Sequence, residues 1–369
     1  MKIARIDVYQ VDLPYPGTYR LSGGRTYESF DATIVSVSTD TGLTGWGEST
    51  PFGPDYIAAH ARGVRAGIEE LASAVLGLDP LAHDRLNEAM DQALAGHAHA
   101  KTPIDVACWD IAGKAADRPV CDLLGGRIDG PVPVISSIGG DTPAAMRASV
   151  ARHRAQGFKA HSLKIGADDP ALDAARIAEC LADRQPGEWF QADANGGMLV
   201  EQALRLIALL PPANDIVLEA PCATMAETMR LRARCPFPIM LDELAETDAD
   251  IIDAIRQDAC DGVGLKVSKQ GGLTAMRRQL DICSAAGLVA SVQDTWGSII
   301  SFAAVLHIAQ ATPQRMLRAA LDVRPLVGVT TAAFDAPIVD GGAMAPAAPG
   351  LGVAPDMAVL GAPVASYGG

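Results

Sequence analysis

Five charged residues each close a short apolar run: Lys164 in HSLKIG, Asp193 in FQADAN, Glu219 in DIVLEA, Asp242 after PIML and Lys266 in DGVGLK. Three carboxylates together suit a hard divalent cation such as Mg2+, whereas Zn2+ usually recruits His or Cys. None of the seven histidines belongs to an HExxH-like pattern, and His97 and His99 read as surface or capping residues. Without a cation, three crowded carboxylates would raise one another's pKa, and a bound metal resolves that conflict. A partly desolvated lysine near such a cation is expected to fall toward the pKa range of a general base. Two of them facing each other would reach both faces of one carbon, while the metal held a substrate carboxylate and the charge left by a departing α-proton. Any one of the carboxylates alone reads as the partner of a neighbouring Lys or Arg, and either lysine alone as a surface charge. The set, repeating in register, reads as a site with Asp193, Glu219 and Asp242 as metal ligands and Lys164 and Lys266 as acid/base groups.

Successive members lie 29, 26, 23 and 24 residues apart, about one strand, one helix and two loops. Val, Ile and Leu cluster in each run and turn residues follow, the pattern of strands buried on both faces. PALDAARIAECLADR and VEQALRLIALL between them read as helices. Such alternation predicts parallel βαβ units that close into a barrel, with the C-terminal strand ends meeting at one mouth. PVPVISSIGG (131–140) supplies the first strand, the five runs above the second to sixth, GLVASVQDTWGS (287–298) the seventh and MLRAALDV (316–323) the eighth. The fold class is therefore α/β, a modified (β/α)8 TIM-type barrel over residues 126–345.

Residues 1–125 break this rhythm. Alternating strands in KIARIDVYQVDL and ATIVSVSTDTGLTGWGES precede three helical stretches, which predicts an α+β capping domain. Gly-, Pro- and Tyr-rich segments at about 17–28 and 50–57 are candidate covers over a site, although they also fit plain surface connections. The Pro/Gly-rich segment 346–369 is expected to pack back on the capping domain.

A net charge of −14 leaves no basic stripe for nucleic acid. No apolar run reaches the roughly 18 residues of a membrane span, and the N-terminal MKIARIDVYQVDL has no signal-peptide core. Seven scattered cysteines without a CxxC pair read as reduced thiols, Cys108, Cys180 and Cys283 within helical patterns, and point to the cytoplasm. The apolar helices of the first domain permit a homo-oligomer. Gly139–Gly140 and Gly271–Gly272 lack the surrounding pattern of a phosphate loop.

Over essentially its whole length the chain resembles the muconate-lactonizing subgroup of the enolase superfamily. That family carries a Lys-x-Lys pair on strand two, metal-binding Asp, Glu and Asp on strands three to five, and a Lys on strand six. Here SLK places Lys164 at the second Lys position while Ser162 replaces the first, DAN, LEAP and LDE carry Asp193, Glu219 and Asp242, and LKVSKQGG carries Lys266. LSGGR, GWGES, HSLKIG and LKVSKQGG further resemble the cis-3-hydroxy-L-proline dehydratases. The resemblance implies Mg2+-assisted removal of the α-proton through an enediolate, loss of the 3-hydroxyl to give Δ1-pyrroline-2-carboxylate, and competing 2-epimerisation of a cyclic, proline-like amino acid. In relatives the first Lys helps to hold the substrate carboxylate, so Ser162 implies different charge compensation. Ser162, Tyr56, Asp294, Thr295, Trp296 and Asp322 are candidate substrate contacts, with Asp322 and Asp294 expected to receive a ring ammonium. The alternatives are a racemase or 2-epimerase of a proline betaine, hydroxyproline betaine or dipeptide, and a metal-binding barrel without catalysis. A quaternary ammonium calls for an aromatic cage. Only Trp296, Phe52, Tyr56 and Tyr19 are at hand, which favours a secondary amine held by carboxylate.

Overall fold

A computed structural model describes residues 1–369. Three antiparallel strands, β1 (Ile3–Arg20), β2 (Thr26–Thr39) and β3 (Thr44–Ser49), begin the chain, and helices α1 (Ala61–Val75), α2 (His83–Ala93) and α3 (Ala98–Ala116) follow. Ile3, Ile6, Val8, Val35 and Val37 of the strands meet Val64, Ile68, Leu71, Ile104 and Ile111 of the helices in one buried cluster. Segment 17–28 is not a loop throughout. Thr and Tyr, residues that fit a pleated surface, keep it in strand, with Tyr19 opposite Tyr27 and Arg20 opposite Thr26. Only residues 21–25 connect the strands, and a register shift between Pro14 and Tyr19 offsets the hairpin tip from the sheet below. Helix α3 starts before the expected stretch and takes His99 into its first turn, where the ring is buried and Nδ1 lies 2.9 Å from Ser49 Oγ. The expected surface or capping role is thus corrected for His99.

Eight parallel strands then close on themselves: β4 (Val132–Ile138), β5 (Ala160–Lys164), β6 (Trp189–Asp193), β7 (Ile216–Glu219), β8 (Ile239–Leu241), β9 (Gly262–Lys266), β10 (Val289–Gln293) and β11 (Leu317–Leu321), with β11 pairing back to β4. The (β/α)8-type barrel with an N-terminal antiparallel-sheet domain is the architecture expected from the strand–helix rhythm. The intervening helices start at residues suited to it: Thr142, Asp169, Thr224, Thr247 and Ser298 each accept a backbone N–H from the first turn. Near the C-terminus, Ala365–Gly368 pairs antiparallel with β1. No helix is long and apolar enough to cross a membrane.

One histidine ties three parts of the chain together. His307, in the helix Ile299–Gln310, accepts the Cys121 N–H at Nδ1 (3.2 Å) and donates from Nε2 to the Leu351 carbonyl (3.0 Å). This arrangement needs the neutral ring, and burial pulls its pKa down to about 4. Because the folded pKa lies below the unfolded value of about 6.5, the contribution is fully present above pH 6.5 and is lost as pH falls toward 4. The stability advantage of wild type over His307→Gln should therefore shrink by up to about 3 kcal/mol across that window. Urea unfolding of both proteins between pH 7 and 4 checks this, and a pH-independent difference would refute it.

Candidate active site

The barrel's parallel strands bring their C-terminal residues to one rim. Lys164 is in register with Asp193, Asp193 with Glu219, and Gln293 with Lys266, while Asp242 directly follows β8. Glu219 is seated by two amides: the side chains of Gln191 and Gln293 both donate to its carboxylate, the latter at 3.1 Å. Position 264 on the neighbouring strand must be glycine for this, since a Cβ there would lie 2.9 Å from Glu219 Oε1.

The carboxylates do not converge on one point. Two of them are held by a neighbouring lysine, Asp193 by Lys164 and Asp242 by Lys266 at 2.5 Å. A third ammonium, Lys269, sits 2.9 Å from Asp242 Oδ1 and 2.5 Å from its carbonyl oxygen. Burial alone would raise the Asp242 pKa, yet the two lysines override it and hold the group well below the carboxylate range. Glu219 has no such partner: burial, and then Asp193 and Asp242 beside it, push it well above its ordinary value. A buried acid flanked by two carboxylates is the conflict that a divalent cation relieves, so Asp193, Glu219 and Asp242 fit a Mg2+ ion.

Each lysine carries one of these carboxylates as its counter-ion. Burial disfavours their ammonium form, but the Asp193 carboxylate beside Lys164 and the Asp242 carboxylate beside Lys266 outweigh it, and both pKa values are raised, not lowered. The fall toward a general base's range presupposes a cation on the carboxylates; with the carboxylates free, they serve as counter-ions to the lysines.

Lys164 and Lys266 lie on strands four apart in the barrel and line one small chamber, about 20 Å3, together with Tyr19, Phe52, Tyr56, Thr295 and Trp296. A far larger cleft of about 590 Å3 runs between α1–α3 and the outer barrel helices. It contains none of the five strand-end charges, whereas the small chamber has two of them, Lys164 and Lys266, in its wall. Lys266 Nζ donates to Tyr56 Oη at 2.8 Å, and that hydroxyl donates to Glu243 at 2.6 Å. Two buried polar atoms of the chamber wall, Thr295 Oγ1 and Trp296 Nε1, have no partner and are available to a substrate.

The acids assigned to a ring ammonium are otherwise engaged. Asp322 forms a bidentate pair with Arg324, two residues on, and is not part of the chamber wall. Asp294 touches the chamber, but its carboxylate accepts from Ser268 N and Oγ, Thr295 N and Ser301 Oγ. Ser162 lies two residues below Lys164 on β5, buried and outside the chamber wall. Conversely, the aromatics form a connected group: Trp296 stacks on Phe30 at 4.2 Å and meets Tyr19 and Phe52 edge-on, and Phe52 meets Tyr56.

Several groups escaped the sequence reading. Lys269 follows Lys266 by three residues, one helical turn, and Glu243 is the second acid of LDE. Asn195 of DAN donates to Asp193 at 3.1 Å and to Glu243 at 3.1 Å. Gln191 sits two residues before Asp193, on the same face of β6. In each case the signal was spacing from a residue already singled out.

Residues 145–359 match the family described as Enolase C-terminal domain-like, and residues 19–125 match the Mandelate racemase / muconate lactonizing enzyme, N-terminal domain. The chain belongs to the enolase superfamily. Among curated members, it is 38% identical over 368 residues, all of both chains, to cis-3-hydroxy-L-proline dehydratase of Roseibium aggregatum. It is 28% identical to a hydrophobic dipeptide epimerase of Enterococcus faecalis, covering 87% of this chain and 90% of that protein. A Roseovarius nubinhibens structure described as a mandelate racemase/muconate lactonizing enzyme complexed with magnesium is 64% identical, with a TM-score of 0.98 over all of both chains. As an enolase-superfamily enzyme, the chain has the capping-domain and barrel architecture of these relatives.

Proposed function

We propose that this protein is a Mg2+-dependent hydro-lyase that converts cis-3-hydroxy-L-proline to Δ1-pyrroline-2-carboxylate, with 2-epimerisation as a competing outcome. The observation that carries the reading is a pair of lysines, Lys266 buried and Lys164 half-buried, lining one small chamber from opposite sides of the barrel, beside three strand-end carboxylates. Full-length similarity to a dehydratase of this substrate supports it.

A divalent cation at Asp193, Glu219 and Asp242 would supply charge stabilisation for a substrate whose C2 proton is leaving. The chain's own residues do the rest. With their counter-ions committed elsewhere, Lys164 and Lys266 lose the interactions that keep them protonated, and one of them in neutral form takes the C2 proton. In the cis isomer the hydroxyl shares a ring face with the carboxylate, so the α-hydrogen lies on the other face. The second lysine, as an ammonium, then faces the hydroxyl: the C3–O bond breaks, its electrons leave with the oxygen, and the lysine's proton completes water. The C2=C3 enamine tautomerises to the imine. Return of a proton to C2 from the second lysine, without C–O cleavage, gives the epimer instead. Tyr56, bonded to Lys266 and Glu243, orients the Lys266 amine.

One observation favours a second reading, epimerisation of a proline or hydroxyproline betaine. Both candidate acids are satisfied internally while Tyr19, Phe52, Tyr56 and Trp296 meet at the chamber, which suits a quaternary ammonium better than the sequence suggested. The deciding experiment is proton NMR in D2O with Mg2+ on hydroxyproline stereoisomers and their betaines. Elimination from cis-3-hydroxy-L-proline is expected. C2 exchange of betaines without elimination of any hydroxyproline would select the second reading, and no exchange of any of them would defeat both.

A further inference from the structure

One polar pair in the chamber wall is left unmatched by the fold. Thr295 and Trp296 lie just beyond β10 and are only 4% and 2% exposed, yet neither Thr295 Oγ1 nor Trp296 Nε1 has a hydrogen-bond partner. Buried polar groups are normally paired, and leaving one unpaired is costly. Packing holds the indole in that position. It stacks on Phe30 at 4.2 Å and meets Tyr19 and Phe52 edge-on at 5.3 and 5.2 Å. The backbone is pinned as well: Asp294 accepts from Ser268 N at 2.9 Å, Thr295 N at 2.7 Å and Ser301 Oγ at 2.7 Å. The chamber wall includes Lys164 and Lys266 but none of Asp193, Glu219 and Asp242. It therefore suits the part of the substrate that projects away from those carboxylates. An indole N–H only donates, so its partner needs a lone pair, which a ring ammonium lacks. With the substrate carboxylate placed toward the cation, the acceptor that remains on the ring is the 3-hydroxyl oxygen.

We infer that Thr295 and Trp296 form the pocket of the leaving 3-hydroxyl and thereby set the partition between elimination and epimerisation. This deepens the reading above, on which it rests for the identity of the substrate. As the C3–O bond breaks, its electron pair goes to the oxygen, and the proton that completes water comes from a lysine. Thr295 and Trp296 give up no proton; they donate hydrogen bonds to the oxygen as its negative charge grows. Donors fixed where charge develops favour the transition state over the ground state. Reprotonation of C2 puts no charge on that oxygen, so epimerisation gains nothing from the pair. A proline without the 3-hydroxyl leaves both donors unmatched, which selects against it.

The test follows the full-length, Mg2+-loaded protein by proton NMR in D2O. Trp296→Phe and Thr295→Val each remove one donor and keep the shape of the wall. Each should slow elimination from cis-3-hydroxy-L-proline by roughly 10- to 100-fold, the effect of one hydrogen bond to a charged group. Recovered substrate should then carry more C2 deuterium and more epimer. C2 exchange of L-proline, which has no hydroxyl to lose, should stay as in wild type, and Thr295→Ser should retain elimination. Elimination and C2 exchange falling by the same factor would make the pair packing residues and overturn the inference, as would no change in either rate. Binding gives a second readout. In Lys164→Ala, where elimination is not expected, calorimetry should show cis-3-hydroxy-L-proline bound roughly 3- to 10-fold more tightly than L-proline. Adding Trp296→Phe should erase that difference, and its absence from Lys164→Ala itself would also overturn the inference. A hydroxyl-dependent gain that is lost with Trp296, in a protein whose wild type turns over no proline derivative, would sink the proposed function and leave the pocket standing. Elimination by wild type with an unchanged partition in both variants would do the reverse.

Discussion

Replacing Lys266 by Ala should abolish dehydration and epimerisation together while Mg2+ still binds. Losing a general acid or base costs roughly 10^2- to 10^4-fold, and the proposed mechanism asks each lysine to serve a separate face of C2. Lys164→Ala should be as damaging to net turnover, because elimination needs a base on one face and a proton for the leaving hydroxyl on the other. The two variants should differ in exchange. The variant that keeps the base facing the L-configured α-proton should still wash deuterium into C2 of cis-3-hydroxy-L-proline, and the other should not. The metal should not suffer. Lys266 is a counter-ion of Asp242, Lys269 remains on the same carboxylate after the substitution, and removing a competitor for Asp242 leaves that ligand freer. Solvent-exchange NMR with a parallel Mg2+ titration separates the effects. Full activity in either variant would remove that lysine from the mechanism.

What could be read from the sequence followed from how locally each feature is encoded. Strands β5 to β9 are buried on both faces and end in a charge or, for β8, directly precede one, so their apolar runs marked both the barrel and the candidate site. Asp322 shows the limit: its partner Arg324 is two residues away, and strand spacing says nothing about which of two neighbours a carboxylate will choose. The aromatic group shows another. Tyr19, Phe30 and Phe52 come from three segments of the capping domain and Trp296 from the barrel, and only their tertiary meeting makes a wall. Glu48 hides for the same reason. At the end of GWGES it looks like a surface acid, yet it is buried and accepts from Ser298 N and Oγ and Ser301 N, fastening β3 to the barrel helix that follows Trp296.

Glu219→Gln should pull stability and metal binding in opposite directions. In the metal-free protein Glu219 is a buried acid with no cationic partner, and Asp193 and Asp242 beside it oppose its ionisation. Removing that charge takes away a desolvation and repulsion penalty, so the metal-free variant should melt higher than metal-free wild type. The hydrogen bonding can adjust. Gln293 Nε2 can still donate to the new side-chain oxygen, and Gln191, whose Oε1 is buried without a partner, can turn over to accept from the new amide. Metal binding moves the other way, since the cation loses the central charge of its three ligands. At a Mg2+ concentration 100 times the dissociation constant, wild type should gain about 2.7 kcal/mol of stability, and the variant almost none. The melting curves should therefore cross: variant above wild type in EDTA, wild type above variant in excess Mg2+. A variant that melts lower in both conditions would mean that the Glu219 carboxylate is held for its hydrogen bonds to Gln191 and Gln293. A variant still stabilised by Mg2+ as much as wild type would remove Glu219 from the ligand set.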